Sequence, residues 1–108
     1  MTETLTIEER AVMCHALGLQ LRGKQSGVVY RNYYVCDRHE AWECDRHEAW
    51  EQLVDRGLAS RSGPHPTMSG SYQYCVTDRG CEALLGRTLA EAEGRKMSVA
   101  MIRVALGG

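Results

Sequence analysis

The sequence predicts one α+β domain, and three stretches carry that expectation. Thr6 followed by Glu9 has the spacing of a capping box ahead of an apolar helical face. Residues 37–56 run without Pro or Gly through helix-tolerant residue types. Two β-type runs, LASRS and SYQYCVT, flank the turn-rich GPHPTMSG. A chain of 108 residues, 44% hydrophobic and 25% charged, is long enough to bury one core and too short for a second independent one.

The elements follow in chain order. A first helix begins near Ile7, where the Thr6 hydroxyl and Glu9 carboxylate satisfy free amides; Val12, Met13, Ala16 and Leu17 form its apolar face, and Gly18 ends it. Residues 19–27, LQLRGKQSG, have no period and read as loop. VVYRNYYV is β-branched and aromatic, which fits a short strand, but Tyr30, Tyr33 and Tyr34 also share a helical face, which fits a short helix. The stretch 37–56 reads as one helix of roughly 30 Å, with Ala49, Trp50, Leu53 and Val54 on one side and Trp42 at its edge. A hairpin with a wide tip comes next, then a short helix in DRGCEALLG packed through Ala83, Leu84 and Leu85, and a further helix in TLAEAEGRKM. The final SVAMIRVAL is apolar and fits an extra strand, a docking helix or a partner-seeking tail.

The most unusual feature is "CDRHEAWECDRHEAWE", residues 36–51, one octet written twice without a mismatch. Cys36, His39, Cys44 and His47 are residue types that zinc accepts. On a continuous helix, however, Cys36 and Cys44 stand roughly 12 Å apart along the axis, too far for four side chains to reach one ion. The octet is therefore read as a tandem duplication that brought its Cys and His along, and no metal or other cofactor is expected. Eight residues exceed two turns by about 0.8 residue, so the insertion rotates the helix phase by roughly 80° and leaves it amphipathic.

The start, MTETLTIEER, lacks the apolar core of a secretory signal, and no stretch has the length needed to cross a bilayer. A cytoplasmic protein with reduced thiols is expected. Cys14, Cys75 and Cys81 sit among apolar neighbours and read as small core residues. A net charge of −1 gives no global attraction to nucleic acid or anionic membrane.

Helix, short element, long helix ending in LVDRGL, hairpin, then VTDRGCEALL: this order resembles the winged-helix arrangement of many bacterial regulators. The likeness rests on Leu53, Val54, Gly57 and Leu58 before the hairpin and on Val76, Thr77, Gly80 and Leu84 after it. With YRNYYV at residues 30–35, the chain also resembles small phage and prophage proteins with a winged-helix-like core. The resemblance covers roughly residues 5–86. It implies a domain at 1–86, followed by a C-terminal helix and tail at 87–108 that pack on it or on a partner.

In winged-helix regulators the helix before the hairpin enters the DNA major groove, which points to residues 37–56. That stretch holds seven acidic residues, Asp37, Glu40, Glu43, Asp45, Glu48, Glu51 and Asp55, against Arg38, Arg46 and Arg56, a balance opposed to phosphate binding. No nucleophile is accompanied by an orienting base and an oxyanion pocket, so the chain is expected to be noncatalytic, with no small-molecule substrate. The preferred reading is a protein-binding role, in which a host factor or a second copy meets the elongated helix at Trp42, Arg38 and Arg46. The alternative is a DNA-binding regulator using Arg31, Arg38, Arg46, Arg61 and His65.

Overall fold

The computed structural model describes residues 4–19, 29, 32–36, 44–63, 72–94 and 96–107. Among these residues five helices and three strands form a small α+β fold. Helix α1 spans Ile7–Leu17, and its start is the capping box expected: Glu9 N–H donates to Thr6 Oγ1 (3.1 Å), and Thr6 N–H donates to Glu9 Oε1 (2.8 Å). Gly18 closes α1 in the left-handed conformation (φ 80°), its N–H bonding back to the last turn.

The Glu9 carboxylate does more than cap. It is 1% exposed, and its second oxygen accepts from Arg56, just beyond helix α2 (Cys44–Asp55). Arg56 Nη1 also donates to the Thr4 carbonyl (2.8 Å), so one guanidinium clamps the start of α1 to the end of α2. Helix α2 buries Ala49, Trp50 and Leu53, with Val54 packed beside them. The apolar stripe read from the wheel is the face that meets the core. The remainder of the expected helix, residues 37–43, lies outside the described residues.

Of the two readings of VVYRNYYV, strand β1 (Tyr34–Cys36) realises the strand at its end, Tyr34 and Val35, while Val28, Tyr30 and Arg31 lie outside the described residues. Strand β1 pairs antiparallel with β3 (Tyr72–Val76), which also pairs antiparallel with β2 (Ala59–Ser62), giving the order β1-β3-β2. Asn32 extends the first ladder with its side chain: Oδ1 accepts from Val76 N–H (2.7 Å) and Nδ2 donates to the Val76 carbonyl (2.8 Å). Tyr34, Tyr74 and Val76 point to the helix-covered face, while Gln73, Cys75 and Ser60 lie on the wetter side.

Helix α3 (Asp78–Leu85) is capped by Thr77, whose hydroxyl accepts from Gly80 N–H and donates to the Gly57 carbonyl (2.8 Å). The stretch TLAEAEGRKM yields only the short α4 (Leu89–Ala92). Gly94, at φ 76°, turns the chain, and Glu93 forms a parallel bridge with Val29 instead of continuing the helix. The apolar tail forms helix α5 (Val99–Ala105), which buries Ile102 and Ala105, and Arg10 Nη1 donates to the Ala105 carbonyl (3.3 Å).

Gly80 is required by close approach. A Cβ there would stand 1.9 Å from the Leu58 carbonyl oxygen, which already accepts from Thr77 N–H (3.1 Å). Gly86, in the left-handed region at φ 76°, has open space around it. Gly80→Ala is expected to cost about 3 kcal/mol and Gly86→Ala about 1 kcal/mol, read as lowered urea midpoints at unchanged slope. Equal losses would contradict the steric account.

Candidate functional site

Where α2 crosses the sheet, its side chains form two layers, one aromatic and one polar. Trp50, fully buried, stacks on Tyr74 with ring centroids 5.2 Å apart and planes 10° apart, and meets Tyr34 at 5.7 Å in a tilted arrangement. Outside this layer, His47 and Glu51 are four apart on one face of α2 and meet the Tyr74 hydroxyl. Tyr74 Oη donates to Glu51 Oε1 (3.0 Å) and lies 3.1 Å from His47 Nδ1. A phenol has one proton; with that proton given to Glu51, Nδ1 of His47 must carry its own hydrogen and donate.

Arg61 on β2 completes the belt. Its Nη1 reaches both Glu51 oxygens (2.6 and 2.8 Å), and its guanidinium lies over the Tyr72 ring at 5.3 Å. Partial burial pushes the Glu51 carboxyl up, but hydrogen bonds from Arg61 and Tyr74 and the charges of Arg61 and His47 outweigh it, so the net direction is down. The same hydrogen bond to Glu51, with its charge, pushes Arg61 up.

Two of the candidate contact residues fall in this region. Arg46 is exposed, and its Nη1 donates to Tyr34 Oη (2.9 Å) at the wall of a cleft of about 210 Å³ lined by Ala11, Val12, His15, Tyr34 and Arg46. Arg61 is paired with Glu51, so its charge is compensated within the fold. Arg31, Arg38, Trp42 and His65 lie outside the described residues, as do His39 and the side chains of Cys36 and Cys44. Among the described residues no group of three His, Cys, Asp or Glu is placed to hold a metal ion.

The Tyr74–Glu51–Arg61 network is what sequence reasoning missed. Its signal was the i, i+4 spacing of His47 and Glu51, which sets both toward whatever follows α2, and a hairpin able to bring a tyrosine and an arginine opposite each other. Cys14 and Cys81 are buried as expected from their apolar neighbours, whereas Cys75, expected in the core as well, is only half-buried because it points to the wetter face of β3. Burial pushes Cys14 up to about 12, against a smaller opposing effect of Arg10, and burial pushes Cys81 up to about 11. Neither is a ready nucleophile near neutral pH.

Two further surfaces remain. A groove of about 330 Å³ between the first turn of α1 and the middle of α2 is lined by Thr6, Glu8, Glu48, Ala49 and Gln52. Helix α5 leaves Val99 (49%), Met101 (37%) and Val104 (69%) exposed, and on α1 Ile7 is 68% exposed. No helix among the described residues is long and apolar enough to cross a membrane. The chain matches no protein-family model, no curated protein and no solved structure.

Because the Glu51 carboxyl is held below its ordinary 4.5, its contribution to stability is complete above that value and is lost as pH falls through the lower folded value. Urea unfolding followed from about pH 6 to about pH 3 should therefore show a shallower acid loss in Glu51→Gln than in the parent. Parallel curves would mean that the Arg61 and Tyr74 contacts do not hold the carboxylate in solution.

Proposed function

We propose that this chain is a noncatalytic macromolecule-binding protein that acts by contact with another protein. The observation that carries the reading is α5. Its sequence, VAMIRVA, is apolar nearly all round, yet only Ile102 and Ala105 enter the core. A helix of that kind is normally covered on every side. Val99, Met101 and Val104 are the sort of exposed apolar side chains that partner proteins cover.

A second reading, DNA binding through a winged-helix-like core, draws support from the order α1, β1, α2, β2, β3 with β1 beside β3. The core of small phage and prophage proteins resembled by the sequence suits either role, and modulation of a host factor is the natural form of the first. Electrostatics favours the protein partner. Arg61 is neutralised by Glu51, and α2 carries Asp45, Glu48, Glu51 and Asp55 against Arg46 over its described length.

Titration with random duplex DNA at low and moderate salt separates the two. The protein-binding reading expects no association at micromolar concentration in either condition. Micromolar binding that weakens steeply as salt rises would establish the DNA reading in its place.

A further inference from the structure

We propose that the cleft among α1, β1 and α2 binds a small organic carboxylate, an anion carrying a short apolar body. The site is separate from the exposed side of α5 and does not rest on the protein-binding reading. Its walls come from three elements: Ala11, Val12 and His15 of α1, Tyr34 of β1 and Arg46 of α2. Ala11 and His15, four apart, stand one above the other on the helix, and Val12 flanks them. The last turns of α1 therefore offer two small apolar side chains and an imidazole to one space.

Charge is sorted between the two depressions that α1 and α2 share. Glu8 and Glu48 line the groove at the start of α1, whereas the cleft is lined by an arginine and a histidine and, among the described residues, by no acidic side chain. The whole chain carries a net charge of −1, so this basic lining is local and not a by-product of a basic surface. A guanidinium repels a metal ion, and its planar fork matches the two oxygens of a carboxylate or of a phosphate. Ala11, Val12 and the Tyr34 ring choose between them, because a carboxylate can carry an alkyl group against that wall and inorganic phosphate cannot.

The wall is set before a ligand arrives. Tyr34 is 5% exposed, and its ring contacts those of His15, edge-on at 5.1 Å, and Trp50 at 5.7 Å. Its hydroxyl accepts from Arg46 Nη1 (2.9 Å), which holds the guanidinium of an otherwise exposed side chain at the cleft. That bond uses one of five N–H donors, and the fork lets the same group meet a further acceptor. A carboxylate bound there meets a donor that needs no reorganisation. The volume of about 210 Å³ equals the share of roughly seven water molecules, room for a short branched acid and for nothing much larger.

The test is titration of the isotope-labelled full chain with isovalerate, followed through its amide shifts. Signals of Ala11, Val12, His15 and Tyr34 should move together and saturate. Isovaleramide, which lacks the charge, and inorganic phosphate, which lacks the apolar body, should each bind at least about tenfold more weakly. Arg46→Gln should weaken isovalerate at least about tenfold, and Ala11→Leu, which fills the cleft from an exposed helical position, should abolish the shifts. The amide spectra of both variants report that they stay folded. N-acetyl-leucine then separates the sources: binding as tight as isovalerate assigns the cleft to the C-terminal residue of a peptide, and weaker binding assigns it to a free acid. Absence of saturable shifts at these residues, equal binding of the amide or of phosphate, or undiminished binding in either variant overturns the proposal.

Discussion

The stack of Trp50 on Tyr74 is the contact on which the rest of the molecule depends. It is where helix α2 meets the central strand, and both residues are fully buried. Tyr74 lies between Tyr34 and Arg61 in the sheet register, so seating the indole on its ring sets α2 against all three strands at once. With α2 placed, His47 and Glu51 reach the Tyr74 hydroxyl, and Arg56 reaches Glu9. The indole Nε1 has no hydrogen-bond partner among the described residues, so the ring is held by packing and stacking rather than by its polar handle.

The polar interactions divide by purpose. Glu9 and Glu51 are each tied to an arginine, and both ties join separate elements: α1 to the end of α2, and α2 to the hairpin. These charges are consumed in holding the fold together. Glu8, Glu48 and Arg103, by contrast, are exposed and have no ion pair among the described residues.

Much of the fold was legible in the sequence because it rests on local signals. The capping box of Thr6 and Glu9, Gly18 after α1, the stripe of Ala49, Trp50 and Leu53, and the hairpin after Gly57 each reflect chemistry within a few residues. The repeated octet shows where that legibility ends. Cys36 lies in a strand, while Cys44, the first residue of an identical string, lies in helix α2. Local preference cannot separate identical sequences; pairing of β1 with β3 does. The Glu51–Arg61 and Glu9–Arg56 pairs were hidden for the same reason, since each joins residues brought near only by the fold. Arg61 suits the DNA alternative along the chain alone, because only the fold brings Glu51 to it.

The dependence on the aromatic contact is tested most directly by a double-mutant cycle on Trp50 and Tyr74, with each replaced by leucine singly and together and stability measured by urea unfolding. If the stack seats α2 on the sheet, the two losses should be coupled by about 1 kcal/mol. Losses that simply add would show that indole and phenol stabilise the core independently, and the account given for the placement of α2 would be wrong.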